Sequence, residues 1–228
     1  MRGMQRREFA ALCASGVASL VLANVVPAAA QEEGEEEHPV SAGEDLMREH
    51  GVLERFLLIY DEASARIDRG EDVPAEAIHG TAQAIREFIE DYHEKLEEAF
   101  VFPRLRDSGM YAETINLLAR QHDMGRRVTD RILRVAEGVD TPPERAAVAR
   151  DMRSYAYMYR PHAAREDTVI FRALRDMMPA DEYAELGENF EEREHEILGE
   201  GGFDAMVERA AEIERRFGIH DVDHYSPT

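Results

Sequence analysis

The amino-acid sequence predicts an all-α protein, an up-down-up-down four-helix bundle followed by two extra C-terminal helices. Three observations lead there. Four long stretches place apolar residues at the spacing of one helix face, and short connections carrying Gly or Pro separate them. Ala, Glu, Arg and Leu are abundant and Trp is absent, which suits helices better than strands. No alternating run reads as a strand, and 228 residues leave room for one well-buried core.

The chain opens with what reads as a twin-arginine export signal over residues 1–30. Arg6-Arg7-Glu8-Phe9 precedes an apolar stretch from about Ala10 to Val26, and Ala28-Ala29-Ala30 offers a cleavage site. The expected partner is the twin-arginine (Tat) export machinery, and the expected location is periplasmic or otherwise extracytoplasmic. A membrane attachment is expected only if the signal is retained. Cys13, the single cysteine, lies inside this segment. The mature chain then has no disulfide and no thiolate ligand, so any metal must use nitrogen and oxygen donors. Residues 31–43 are acidic, aperiodic and carry Gly and Pro; they read as a linker that includes His38.

The bundle is expected over 44–177. Its first helix runs from about Glu44 to Arg69 with the inward stripe Leu46, His50, Leu53, Leu57, Tyr60. The second begins near Pro74 and ends at Phe102, before Pro103. The third follows Ser108 and ends at Gly138, with Ile115, Leu118, His122, Gly125 and Thr129 on one face. The fourth starts at Thr141-Pro142-Pro143 and runs to Met177 through Tyr155, Tyr159, His162 and Glu166, with Pro161 expected to loosen it. Residues 178–228 form a C-terminal extension with helices near 180–198 and 203–217.

Charge narrows the function classes. Asp and Glu number 48 against 27 Lys and Arg, for a net charge of −21, which repels nucleic acid and anionic membrane surfaces. No nucleophile elbow or phosphate loop is present.

The chemistry sits on the stripes. Unpaired polar groups are costly in a core, yet each of the four helices turns a histidine inward: His50, His93, His122 and His162. Residues of an antiparallel pair share a level when they are equidistant from the turn between them. The position halfway between His50 and His93 falls between Glu71 and Asp72, in a connection. Halfway between His93 and His122 lies the Asp107–Ser108 step, and halfway between His122 and His162 lies Pro142, both in connections. At about 1.5 Å per residue, all four imidazoles then meet within about a turn of one plane. Two histidines head an HxxxE motif, His93–Glu97 and His162–Glu166, which puts imidazole and carboxylate on one helix face. Two such carboxylates can bridge two cations. Nitrogen and oxygen donors suit iron, manganese or zinc, and bridging carboxylates among imidazoles favour iron.

This order of His, HxxxE, His, HxxxE resembles the hemerythrin/HHE cation-binding family. The residues that carry the resemblance are Arg48-Glu49-His50-Gly51, His93 to Glu98 running on to Phe102-Pro103, Gln121-His122-Asp123, and His162 to Phe171. It covers about residues 44–177, and the segment from Glu188 to Pro227 is similar to a tail of some prokaryotic members. The resemblance implies a non-haem di-iron centre, with two Fe ions, Glu97 and Glu166 bridging, and His50, His93, His122 and His162 as terminal ligands. It departs at Arg126, where oxygen-carrying hemerythrins have a second histidine, and the last motif is one residue shorter than theirs. Fewer imidazoles leave positions open to dioxygen, nitric oxide or peroxide. The reading moves from reversible oxygen carriage towards sensing, detoxification or delivery. A di-iron oxidase- or peroxidase-like enzyme and an iron-holding protein are the alternatives, and Mn or Zn the alternative metals. His79, His195, His220 and His224 are expected on the surface. A ferritin-like site built on Glu76–His79, Glu90–His93 or Glu192–His195 would need inward glutamates where helices 1 and 3 offer histidines. Tyr155 and Tyr159 share the face of His162 and are expected either to donate hydrogen bonds near a ligand or to fill the core. Arg126 is expected to turn its guanidinium to a carboxylate or to solvent.

Overall fold

Helix α1, Ala42–Asp68, starts where Ser41 and Glu44 close a reciprocal cap: the Ser41 hydroxyl and backbone N–H both donate to the Glu44 carboxylate, at 2.7 and 3.3 Å. The helix therefore begins two residues earlier than the sequence pattern placed it, inside what was read as linker. This computed structural model describes residues 40–136 and 141–227. The export segment, His38 and most of the acidic linker lie outside the described residues, as does the connection at 137–140. The described residues are helical, with no strand among them.

Arg69 caps the end of α1, and Gly70 takes a positive φ of 71° that turns the chain back. Helix α2 spans 75–107 and is not α-helical throughout. Wider π-helical runs at Ile85–His93 and Glu97–Val101 interrupt it. The sequence pattern ended this helix at Phe102, but it continues past Pro103 to Asp107. The π turn explains the difference. The Phe102 N–H reaches back five residues to the Glu97 carbonyl, and the widened turn accommodates the proline ring and its missing donor. Helix α3, Ala112–Ala136, follows Tyr111, which sits at φ 56°. Helix α4 spans 142–177, opened by a second cap in which Thr141 pairs with Glu144. It runs unbroken through Pro161 and widens a turn later, in the π run Glu166–Ile170. Helices α5, Ala180–Leu198, and α6, Gly202–Phe217, complete the chain before a short 3-10 turn, Val222–Tyr225.

The Pro142–Arg165 part of α4 packs along both α1 and α3, α2 packs on α3, and α5 and α6 lie against α1. Phe56, Tyr60, Ile85, Phe88, Met152 and Tyr155 are buried in the core. No described helix is long and apolar enough to cross a membrane.

Candidate metal centre

Histidine and glutamate side chains from α1 to α4 converge in the middle of this core. His50, His93, Glu97, His122, His162 and Glu166 are each at most 6% exposed. The six fall into two overlapping donor groups. Glu97, His122, His162 and Glu166 bring ligand atoms within 4.8 Å of one another, and so do His50, His93 and Glu97. Each carboxylate lies between imidazoles of two helices. Glu97 Oε2 is 3.6 Å from His93 Nε2 and 3.3 Å from His122 Nε2. Glu166 Oε2 is 3.0 Å from His162 Nε2 and 3.6 Å from His50 Nε2. The His50 and His93 rings stand 4.6 Å apart and the His122 and His162 rings 5.0 Å apart, between centroids.

What orients the imidazoles is a closed ring of contacts. Glu49 of α1 meets His93 Nδ1 of α2 at 2.6 Å. Glu98 of α2 meets His122 Nδ1 of α3 at 3.1 Å. Gln121 of α3 meets His162 Nδ1 of α4 at 3.0 Å, and Asp167 of α4 meets His50 Nδ1 of α1 at 2.7 Å. Each helix thus holds the histidine of the next. An oxygen acceptor at every Nδ1 places the proton there and turns the Nε2 lone pair inward, as metal ligation requires.

The π turns act on the same residues. An α-helix does not align positions five apart, but a π turn does. Glu97 and Phe102 are five apart, as are Glu166 and Phe171, and each pair spans a π run. Phe102 stacks on His122 at 5.4 Å and Phe171 on His50 at 5.6 Å, both at 23°. Each HxxxE helix therefore presents a carboxylate to the centre and an aromatic wall to the back of an imidazole.

The electrostatics favour a cation. Both oxygens of Glu97, both of Glu166, and His93 Nε2 are buried without a hydrogen-bond partner. Orphaned carboxylates in a core are strongly unfavourable unless positive charge meets them. Burial pushes Glu166 up to about 7 and pushes His93 and His162 down to about 3. Burial opposes protonation of His122, yet the Glu97 and Glu98 carboxylates lift it to about 10. His93 and His162 are thus neutral donors, and His122 carries the positive charge that a metal ion would replace, so the donor set fits cations facing the orphaned Glu97 and Glu166 oxygens.

Arg126 turns to carboxylates, 2.6 Å from Glu94 Oε2 and 2.5 Å from Glu98 Oε1. Tyr159 donates its hydroxyl to Glu94, not to any of the six residues, and Tyr155 reaches Glu90 at 3.4 Å. His195, His220 and His224 are exposed and His79 is half-buried; none joins the cluster. Glu49, Glu94, Glu98, Gln121 and Asp167 were not singled out from the sequence as working residues. A signal was there: all five adjoin one of the six residues in the chain.

This arrangement defines a cation-binding helical domain. Residues 41–174 match the hemerythrin HHE cation binding domain, and the chain belongs to that family. Uncharacterized proteins of Mycobacterium bovis and of two Mycobacterium tuberculosis strains are similar to it. Each is 47% identical over 196 residues, covering 85% of this chain and 77% of theirs. No solved structure gives a significant match.

Proposed function

We propose that this chain is an exported non-haem di-iron protein that binds dioxygen, nitric oxide or peroxide outside the cytoplasm, for sensing, detoxification or delivery. In this reading His50, His93, His122 and His162 are terminal ligands and Glu97 and Glu166 bridge two irons. They stand on an up-down-up-down four-helix bundle over 44–177, with 178–228 as a helical extension and 1–30 as a twin-arginine signal. The ring of acceptors supports that topology, since it links α1 to α2, α2 to α3, α3 to α4 and α4 back to α1.

One observation carries the reading: four Nδ1-anchored imidazoles surround two buried carboxylates whose four oxygens have no other partner. A bound iron pair supplies redox-active positions that accept small ligands. The chain's own residues do the rest. Glu49, Glu98, Gln121 and Asp167 fix the imidazole tautomers, and Phe102 and Phe171 keep water from the backs of two rings. A cavity of about 340 Å³, lined by His50, Gly51, Leu53, Tyr159, Ala163 and Asp167 among others, gives a small molecule room beside His50. Its lining is mostly apolar, which suits an uncharged diatomic.

An oxidase- or peroxidase-like enzyme is the second reading, favoured by the Tyr159–Glu94 hydrogen bond. Burial keeps that hydroxyl protonated and donating to the carboxylate, and the Tyr159 ring lies 5.2 Å from that of His162, where the pair could steady a ligand's proton. Elemental analysis of protein exported by its own host should give close to two irons per chain. One metal per chain, or stoichiometric zinc, would overturn the di-iron reading, and a mature N-terminus upstream of Ala30 would overturn cleavage of the signal.

A further inference from the structure

Outside the metal centre, a second group of ligating side chains stands where α5 and α6 meet α1. Asp45 and Glu49 lie one turn apart on α1, and Glu194 reaches them from α5. Each brings a carboxylate oxygen within 4.8 Å of the other two. Acidic clusters are common on surfaces, but this one is not on the surface. Asp45 is 4% exposed and Glu49 fully buried, and Asp45 Oδ2 and Glu49 Oε1 have no hydrogen-bond partner. Burying such oxygens unpaired is strongly unfavourable.

The surroundings do not neutralise them. Arg48 approaches only the other Asp45 oxygen, Oδ1, at 3.7 Å, and its guanidinium lies over the Phe203 ring at 4.2 Å. Glu49 uses Oε2 for His93, and its other neighbour is the buried Tyr92 hydroxyl, a neutral group that brings no positive charge. Glu194 is held in place by the turn into α6: its Oε1 accepts the Phe203 backbone N–H at 2.8 Å. Gly202 permits that approach, since a Cβ there would meet Leu198 and come within 3.3 Å of Glu194 Oε1. A cavity of about 280 Å³, lined by Asp45, Arg48, Glu191, Glu194, His195 and Phe203 among others, lies against two of the three carboxylates.

We propose that Asp45, Glu49 and Glu194 form a separate site for a divalent cation of the hard, oxygen-preferring class, with manganese(II) or magnesium as its chemistry. An all-oxygen donor set with room for water is what such ions take, and it differs from the imidazole-rich centre next door. The site fastens the C-terminal helix pair to α1 through one ion. Without a cation, burial and then the neighbouring Glu49 and Glu194 raise Asp45 to about 7, so protons compete for the same oxygens.

The test uses the full exported protein with its centre loaded as isolated. Manganese(II) is titrated in, and the free ion is counted by electron paramagnetic resonance. Wild type should bind one manganese that Glu194→Gln and Asp45→Asn bind at least tenfold more weakly, with iron content the same in all three. The Glu194-dependent manganese should persist in His122→Ala, which separates this site from the centre: manganese binding in wild type that carries no iron would sink the di-iron reading and leave this one standing, and loss of the manganese in His122→Ala would overturn this one. Absence of manganese binding in wild type, as expected if the carboxyls merely share protons, would overturn the proposal. So would wild-type affinity in both carboxylate variants.

Discussion

Replacing Glu49 and Asp167 by alanine, one at a time, tests whether the acceptor ring orients the imidazoles. Both make short contacts to a histidine Nδ1, at 2.6 and 2.7 Å, so distance alone predicts equal effects. Burial predicts otherwise. The Glu49 side chain is fully buried, whereas that of Asp167 is 32% exposed. In Asp167→Ala water can replace the lost oxygen, and the loss should be about 0.5–1 kcal/mol, or about 2- to 5-fold in metal affinity. In Glu49→Ala the buried His93 Nδ1–H has no substitute acceptor, and a charge-assisted bond is lost as well. That should cost about 2–3 kcal/mol, or about 30- to 150-fold. Competition with a chelator of graded strength, followed by iron content per chain, measures both. Glu49→Gln keeps an oxygen and should recover part of the loss, and Glu194→Gln controls for the neighbouring carboxylates. Equal affinities in the two alanine variants, or a larger loss in Asp167→Ala, would refute the reasoning.

Three further outcomes follow from the same geometry. Arg126→Met leaves the buried Glu94 without its 2.6 Å cation, and should cost about 2–3 kcal/mol and lower the melting temperature by about 5–10 °C in circular dichroism; the partial exposure of the arginine keeps the figure below that of a fully buried pair. Gly125→Ala puts a methyl group 2.8 Å from the Tyr159 ring, and should destabilise by about 1–3 kcal/mol in urea unfolding while Gly51→Ala, with nothing within 4 Å, does not. Stripping metal with a chelator should lower the melting temperature by at least about 10 °C, because the Glu97 and Glu166 oxygens, which have no hydrogen-bond partner, lose the cations that face them; an unchanged melt would show that the six residues need no cation.

The convergence of the six residues was legible because helix geometry makes position a function of count. A histidine on each stripe, at a height fixed by turns that Gly and Pro announce, could meet the others only at one level. The acceptor ring was not legible by the same route. Glu49, Glu98, Gln121 and Asp167 lie off the inward face of their own helix, in a chain where charged residues are everywhere. Their role depends on which helix stands alongside, and periodicity within one helix does not report that. The π runs were hidden for a related reason, since α and π turns use nearly the same backbone angles. The spacing of five from Glu97 to Phe102 and from Glu166 to Phe171 was the one trace, and it reads as noise to a search for steps of three and four. The start of α1 was missed through local chemistry: Ser41 and Glu44 form a cap in a stretch whose composition suggests linker.

Arg126 shows why a departure from a family pattern must be followed to its contacts. On sequence alone it is a missing ligand, and the consequence drawn is an open metal position. In the structure the same residue is the hub of a charged network. It grips Glu98, which holds His122, and Glu94, which takes the Tyr159 hydroxyl. The two sides of the centre therefore differ in kind. The His122 side is packed with paired charges, while the His50 side faces a cavity lined by Gly51, Ala163 and Ala164 together with Tyr159, Arg160 and Asp167. Small residues there leave space, and Arg126 on the opposite side is tied too tightly to reach the centre as a ligand. That asymmetry fits the proposed approach of a small uncharged molecule past His50, into a cavity that the Tyr159 ring also lines.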